Sequence, residues 1–143
     1  MQPSGATALP SVLVVDDRED VAMALVELCR AFGHPAVIGE RGRGMSDLLA
    51  CHAPGCVIVD VMMPGEDGYE ALREIARYDT ALPVLLITGH GDDWLRMGET
   101  LGRAHGLRFV RTAAKPVRGS AIRAFLDAVT AAAPPEGRGA GGD

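Results

Sequence analysis

VIVDVMMPGEDGYE, from Val57 to Glu70, is the stretch that decides the fold. With Cys56 in front of it, the apolar run Cys56 to Val59 is unbroken, whereas a strand exposed on one face would alternate polar and apolar residues. It therefore reads as a strand buried on both faces. The run ends in Asp60. An acid where a buried parallel strand gives out stands at the carboxyl edge of a sheet, where open α/β folds gather their ligands. Pro64, Gly65 and Gly68 then demand a loop before a helix can begin. Asp60 is held from behind by its strand and is reachable from the loop side.

Working outward, similar runs appear on either side. Ser11 to Val15 (SVLVV) is a second buried strand and also ends in acid, at Asp16 and Asp17. From Asp17 to Phe32 the residues Val21, Leu25, Leu28 and Phe32 recur at helical spacing until Gly33 stops the helix. Pro35 to Gly39 is a short strand, and Met45 to His52 a short helix ahead of Pro54 and Gly55. Beyond the Asp60 loop, Leu72, Ile75 and Ala76 mark a helix from about Gly68 to Tyr78, and Pro83 to Ile87 is a buried strand ending in Thr88. A helix follows over Asp92 to Ala104, where Gly98 and Gly102 each cost about 1 kcal/mol relative to alanine, so it is expected to be the most mobile helix. Leu107 to Ala114 is the fifth strand and runs into Lys115-Pro116. Ser120 is placed to cap a last helix carrying Ile122, Phe125, Leu126 and Val129.

Five strands alternating with five helices imply right-handed βαβ units and a doubly wound parallel sheet with helices on both faces. If the strand order is 2-1-3-4-5, the crevice lies between the first and the Asp60 strands. There Asp16, Asp17, Asp60, Thr88 and Lys115 would converge.

Composition limits what such a site can belong to. The chain has 143 residues, 48% hydrophobic and 23% charged, which suits one globular domain. Its formal net charge of -5 argues against general affinity for nucleic acid or anionic membrane. No apolar run approaches the ~20 residues of a membrane span, and the start has no basic or apolar signal region; a soluble, cytoplasmic protein is expected. Cys29, Cys51 and Cys56 are odd in number and form no CxxC pair, so they read as small buried hydrophobes. His34, His52 and His105 show no metal spacing and read as surface residues. Residues 1–10 read as a flexible leader, 11–132 as the domain, and 133–143 as a disordered Gly/Pro tail, whose Gly137, Gly139 and Gly142 satisfy GxGxxG without a strand before them.

Three carboxylates packed together repel, and desolvation adds to the cost of ionising them all, so the cluster asks for a cation. Oxygen-only ligands with open positions suit magnesium. Lys115 brings a fixed positive charge and Thr88 a hydroxyl donor. Together they can hold a phosphoryl group in line with an aspartate nucleophile, and the product would be an aspartyl phosphate.

VLVVDD with Asp16 and Asp17, VIVDVMMPGEDG with Asp60, Pro64 and Gly68, LLITG with Thr88, and AAKPV with Lys115 and Pro116 together resemble a CheY-like response-regulator receiver domain of two-component signalling, over about Ser11 to Ala131. The resemblance implies a flavodoxin-like fold. It implies Mg2+ held by Asp17, Asp60 and the Met62 backbone carbonyl, with Asp16 acting mainly through water. It also implies phosphorylation of Asp60 by a phosphohistidine on a sensor histidine kinase or histidine phosphotransfer protein, slow hydrolysis with Met62 and His90 setting water access, and a cis Lys115-Pro116 bond. Such a domain is a phosphoacceptor that alters its protein-binding surface, as a stand-alone regulator or relay intermediate, and not a conventional enzyme. One position departs from the family: the aromatic residue usual three before the lysine is Thr112, with Phe109 in the opposite strand parity. Output is then expected to run through the glycine-weakened helix.

Other classes fit less well. Phosphatases and mutases that form an aspartyl phosphate need a second acid where Met62 stands. A flavin or nucleotide binder would want Ser, Thr and Gly after the first strand, where this chain has DDRED. A degenerate receiver that only binds proteins is the remaining alternative, although every acceptor-site residue type is present.

Overall fold

Unbroken apolar runs become the inner strands of one sheet. The computed structural model describes residues 9–40, 42–60, 62–63, 66–89 and 92–132. In chain order these form β1 (Val12–Val15), α1 (Glu19–Ala31), β2 (Ala36–Ile38), α2 (Met45–His52), β3 (Cys56–Asp60), β4 (Met62–Met63), β5 (Glu66–Asp67), α3 (Gly68–Tyr78), β6 (Val84–Thr88), α4 (Asp92–Ala104), β7 (Val110–Ala114) and α5 (Gly119–Ala132). The main sheet runs β2-β1-β3-β6-β7 with every neighbouring pair parallel. Counted along these five strands alone, the order is the expected 2-1-3-4-5.

Alternation along each strand sorts the core into two layers. Leu13, Val57, Val59, Val84, Leu86 and Val110 face α2, α3 and α4, while Val12, Val14, Ile58, Leu85 and Ile87 face α1 and α5. Both layers are needed because a parallel sheet exposes no face to water. The β3 and β6 side chains are buried from end to end.

Several local expectations are corrected. Helix α1 begins at Glu19 rather than Asp17, because the Asp16 carboxylate accepts the Arg18 amide at 2.9 Å and turns the chain before the helix. Its end is as expected: Gly33 takes a φ of 94° and its amide bonds Arg30 O at 2.9 Å. The last strand is Val110–Ala114 and not Leu107–Ala114, since the Leu107 amide closes α4 on Gly102 O at 3.0 Å and Arg108 bonds Thr80 O at 3.0 Å. Ser120 lies inside α5, which starts at Gly119, so it is not the cap. The stretch after Asp60 is more than a loop: Met62 pairs with Asp67 and Met63 with Glu66 in a short antiparallel ribbon.

Gly98 and Gly102 are both buried in α4. A Cβ on Gly102 would lie 3.3 Å from Val110 Cγ2, so the glycine that weakens the helix also lets it close on β7. His34 is not a surface residue; it is buried, with Nδ1 2.8 Å from Pro10 O, so the chain is already tied down at Pro10. His105 is exposed, as expected. The leader up to residue 8, the tail with its GxGxxG and His90 lie outside the described residues. Among the described residues, no helix is long and apolar enough to cross a membrane.

Candidate functional site

Each site residue stands at or just past a strand end. Asp60 is the last residue of β3, in register with Ile87. Thr88, one residue further along β6, pairs with Ala114 of β7. The Lys115 amide then bonds Thr88 O at 2.9 Å, so the lysine leaves the sheet beside the threonine. Asp16 and Asp17 follow β1, which pairs with β3 so that Val15 sits opposite Val59. Asp16, Asp60 and Thr88 are buried polar residues in a rim otherwise built of aliphatic strand ends.

The geometry brings the acids and the lysine together. Carboxylate oxygens of Asp16, Asp17 and Asp60 all lie within 4.8 Å of one another. Lys115 Nζ lies 2.8 Å from Asp60 Oδ2 and 2.8 Å from Asp16 Oδ2. Burial works against the lysine's charge, but the two carboxylates outweigh it, and its pKa ends above the ordinary 10.5. Asp16 is fixed on both oxygens, Oδ1 by the Arg18 amide and Oδ2 by the ammonium. Met62, whose carbonyl is the remaining expected ligand, opens β4 two residues after Asp60.

The donor set fits a hard divalent cation. It is all oxygen, and it carries three negative charges against one ammonium. Asp16 Oδ2 is fully buried and holds no aligned hydrogen bond beyond its ion pair with Lys115. Oxygens on one Mg2+ sit roughly 3 to 4 Å apart, given ligand distances of about 2.1 Å, so small side-chain rotations close the cluster. A ligand that binds only the folded state stabilises it by about 1.4 kcal/mol at ten times its Kd. Mg2+ is accordingly expected to raise the melting temperature, and Asp17→Asn to abolish most of that rise; an unchanged rise in the variant would remove Asp17 from the ligand set.

The position usually aromatic behaves as the residue types suggest. Thr112 is exposed on β7, while Phe109 packs edge-on against Phe125 with centroids 6.0 Å apart and Arg111 4.6 Å above its ring. Phe109 belongs to the opposite core layer, against α1 and α5.

The cysteines divide differently from the expectation. Cys29 and Cys56 are buried, and desolvation pushes their thiols up to about 11 and about 12 respectively, with Cys29 adding to the effect at Cys56. Cys51 is exposed. It lies with His52 and Glu40 in a second group of donor atoms, all within 4.8 Å of one another, so the surface reading of His52 missed a partner. Glu40 and His52 are twelve residues apart, and no sequence pattern links them.

A 2-1-3-4-5 parallel sheet that gathers acids, a threonine and a lysine at its carboxyl edge is the architecture of a receiver, a signalling domain of two-component systems. The chain belongs to the response regulator receiver domain family, whose model matches residues 12–126. It is 36% identical over 98 residues to the C4-dicarboxylate transport transcriptional regulatory protein DctD of Pseudomonas aeruginosa, covering 68% of this chain and 21% of that one. It is 32% identical over 121 residues to the transcriptional regulatory protein AfsQ1 of Streptomyces coelicolor, covering 85% of this chain and 51% of the relative. The chain thus spans about half the length of AfsQ1 or less of such relatives. Among solved structures, chemotaxis protein CheY4 of Vibrio cholerae superposes with a TM-score of 0.71 at 21% identity, over 87% of this chain and 99% of that one. Full-length FixJ from B. japonicum gives a TM-score of 0.71 at 27% identity, over 86% of this chain and 58% of that one.

Proposed function

We propose that Asp60 accepts a phosphoryl group from a phosphohistidine on a sensor histidine kinase or histidine phosphotransfer protein. The observation that carries this reading is the Lys115 ammonium held 2.8 Å from a carboxylate oxygen of both Asp16 and Asp60. A carboxylate oxygen of Asp60 forms the new bond to phosphorus while the phosphorus–nitrogen bond to the partner's imidazole breaks. The bonding pair leaves with the imidazole, which takes up a proton. Lys115 pairs with the developing charge on the phosphoryl oxygens, and the Thr88 hydroxyl donates to one of them. Asp17, Asp60 and the Met62 carbonyl would hold Mg2+, with Asp16 acting mainly through water. When bound, the ion supplies further positive charge against which the phosphoryl oxygens are neutralised.

The acyl phosphate is hydrolysed slowly in turn, with Met62 and His90 governing water access. Phosphorylation alters the surface offered to a downstream protein, and with Thr112 in the aromatic position the change passes through α4. Residues 11–132 form the receiver, working in the cytoplasm as a regulator or relay intermediate that acts on proteins and not directly on nucleic acid.

Incubation with Mg2+ and phosphoramidate, followed by intact-mass measurement, tests the reading. The expected result is a gain of one phosphoryl group that is absent in Asp60→Asn. No gain in the unaltered protein would favour a receiver that only binds proteins, and a gain surviving in Asp60→Asn would move the acceptor elsewhere.

A further inference from the structure

We propose that Glu40, Cys51 and His52 form a second metal site, which takes a borderline-soft divalent ion of the zinc class. The three residues come from two places in the chain. Glu40 follows β2, the edge strand of the sheet, and Cys51 and His52 form the last turn of α2. Their oxygen, sulfur and nitrogen donors all lie within 4.8 Å of one another.

The donor chemistry separates this group from the acceptor site. A thiolate, an imidazole and a carboxylate are the ligand types Zn2+ uses, whereas Mg2+ and Ca2+ take oxygen alone. The geometry is partly assembled. His52 Nε2 stands 3.1 Å from Glu40 Oε1, and two such ligands on a tetrahedral Zn2+ would be roughly 3.3 Å apart given metal–ligand distances of about 2.0 to 2.1 Å. An ion entering between them replaces the shared proton with a metal. Arg43 Nη1 lies 3.7 Å from the other Glu40 oxygen, Oε2, so it orients the carboxylate while leaving Oε1 turned to the histidine. Cys51 is exposed, and its sulfur already lies within 4.8 Å of the other two donor atoms.

Binding is a ligand exchange without redox change. The Cys51 thiol gives up its proton to solvent, His52 binds through the Nε2 lone pair with its proton on Nδ1, and the metal loses hydration water. Three protein donors leave a fourth position for water or an outside ligand. The ion would pin the segment after β2 to the end of α2. The group shares no residue with the acceptor acids Asp16, Asp17 and Asp60, and this inference does not rest on the phosphoacceptor reading.

The test is a Co2+ titration of the full chain in a phosphine reductant, followed by absorbance. The unaltered protein should develop a thiolate-to-cobalt charge-transfer band that Zn2+ displaces. Cys51→Ser should lose the band, His52→Gln and Glu40→Gln should each weaken Co2+ binding by about tenfold or more, and Asp60→Asn should keep both band and affinity. Glu40 and Cys51 are exposed and His52 is half-buried, and circular dichroism of each variant verifies the fold. The site is disproved by the absence of a band at saturating Co2+, by a band that persists in Cys51→Ser, or by a band indifferent to both other substitutions.

Discussion

Lys115→Met is expected to destabilise the chain by about 3 kcal/mol, the lower end of the range for removing one partner of a buried ion pair. The lower end applies because the Lys115 side chain keeps 19% of its exposure, while Asp16 and Asp60 keep 0% and 5%. Methionine preserves the length and apolar stem of lysine, so the loss isolates the ammonium. Two carboxylates then face each other with no cation between them. Mg2+ should restore more stability to this variant than it adds to the unaltered protein, because ion and ammonium neutralise the same oxygens. The dependence on pH has a definite sign. The folded-state pKa of Lys115 is raised above 10.5, so its contribution is fully present below that value and is lost as pH climbs through the folded-state pKa. Urea melts should show the alkaline loss in the unaltered protein and not in the variant. A cost under about 1 kcal/mol would mean that the pair is a weak surface bridge.

Ile58→Ala is expected to cost about 3 to 4 kcal/mol, in the range for emptying a fully buried aliphatic site. Ile58 has 0% exposure and sits in β3 between Val14 of β1 and Leu85 of β6. It is packed in the layer covered by α1 and α5, and it has no side-chain role at the sheet edge. Against a total stability of about 5 to 15 kcal/mol, this is a large fraction. The midpoint of urea denaturation should fall with its slope nearly unchanged, and Ile58→Val should cost only about 1 kcal/mol. A loss no larger for alanine than for valine would show that the site collapses around the cavity, and that β3 is not the rigid support for Asp60 described above.

The elements that sequence predicts best are those whose pattern is decided locally. The runs at Cys56 to Val59 and Val84 to Ile87 admit only a strand buried on both sides, and the helical spacing of Ile122, Phe125, Leu126 and Val129 admits only one buried face. Errors fall at ends, where individual hydrogen bonds and not periodicity set the boundary. Asp16 delays α1, the closure of α4 on Gly102 consumes the Leu107 amide, and α5 starts ahead of the residue best suited to cap it. The paired ribbon after Asp60 carries no alternating pattern long enough to be seen.

Sequence alone determined that Asp16, Asp17, Asp60 and Thr88 lie where strands stop, because a polar residue that ends an apolar run marks the rim of a buried sheet; Lys115 was placed by its position at the end of the fifth strand, ahead of Pro116. Tertiary structure decided which of them meet. The 2.8 Å contacts of Lys115 with Asp16 and Asp60 depend on strand order and register across β1, β3, β6 and β7. The approach of Glu40 to Cys51 and His52 depends on how α2 lies beside the edge strand. Burial and periodicity are properties of single segments, whereas a site is a set of distances between segments, and only packing sets those distances.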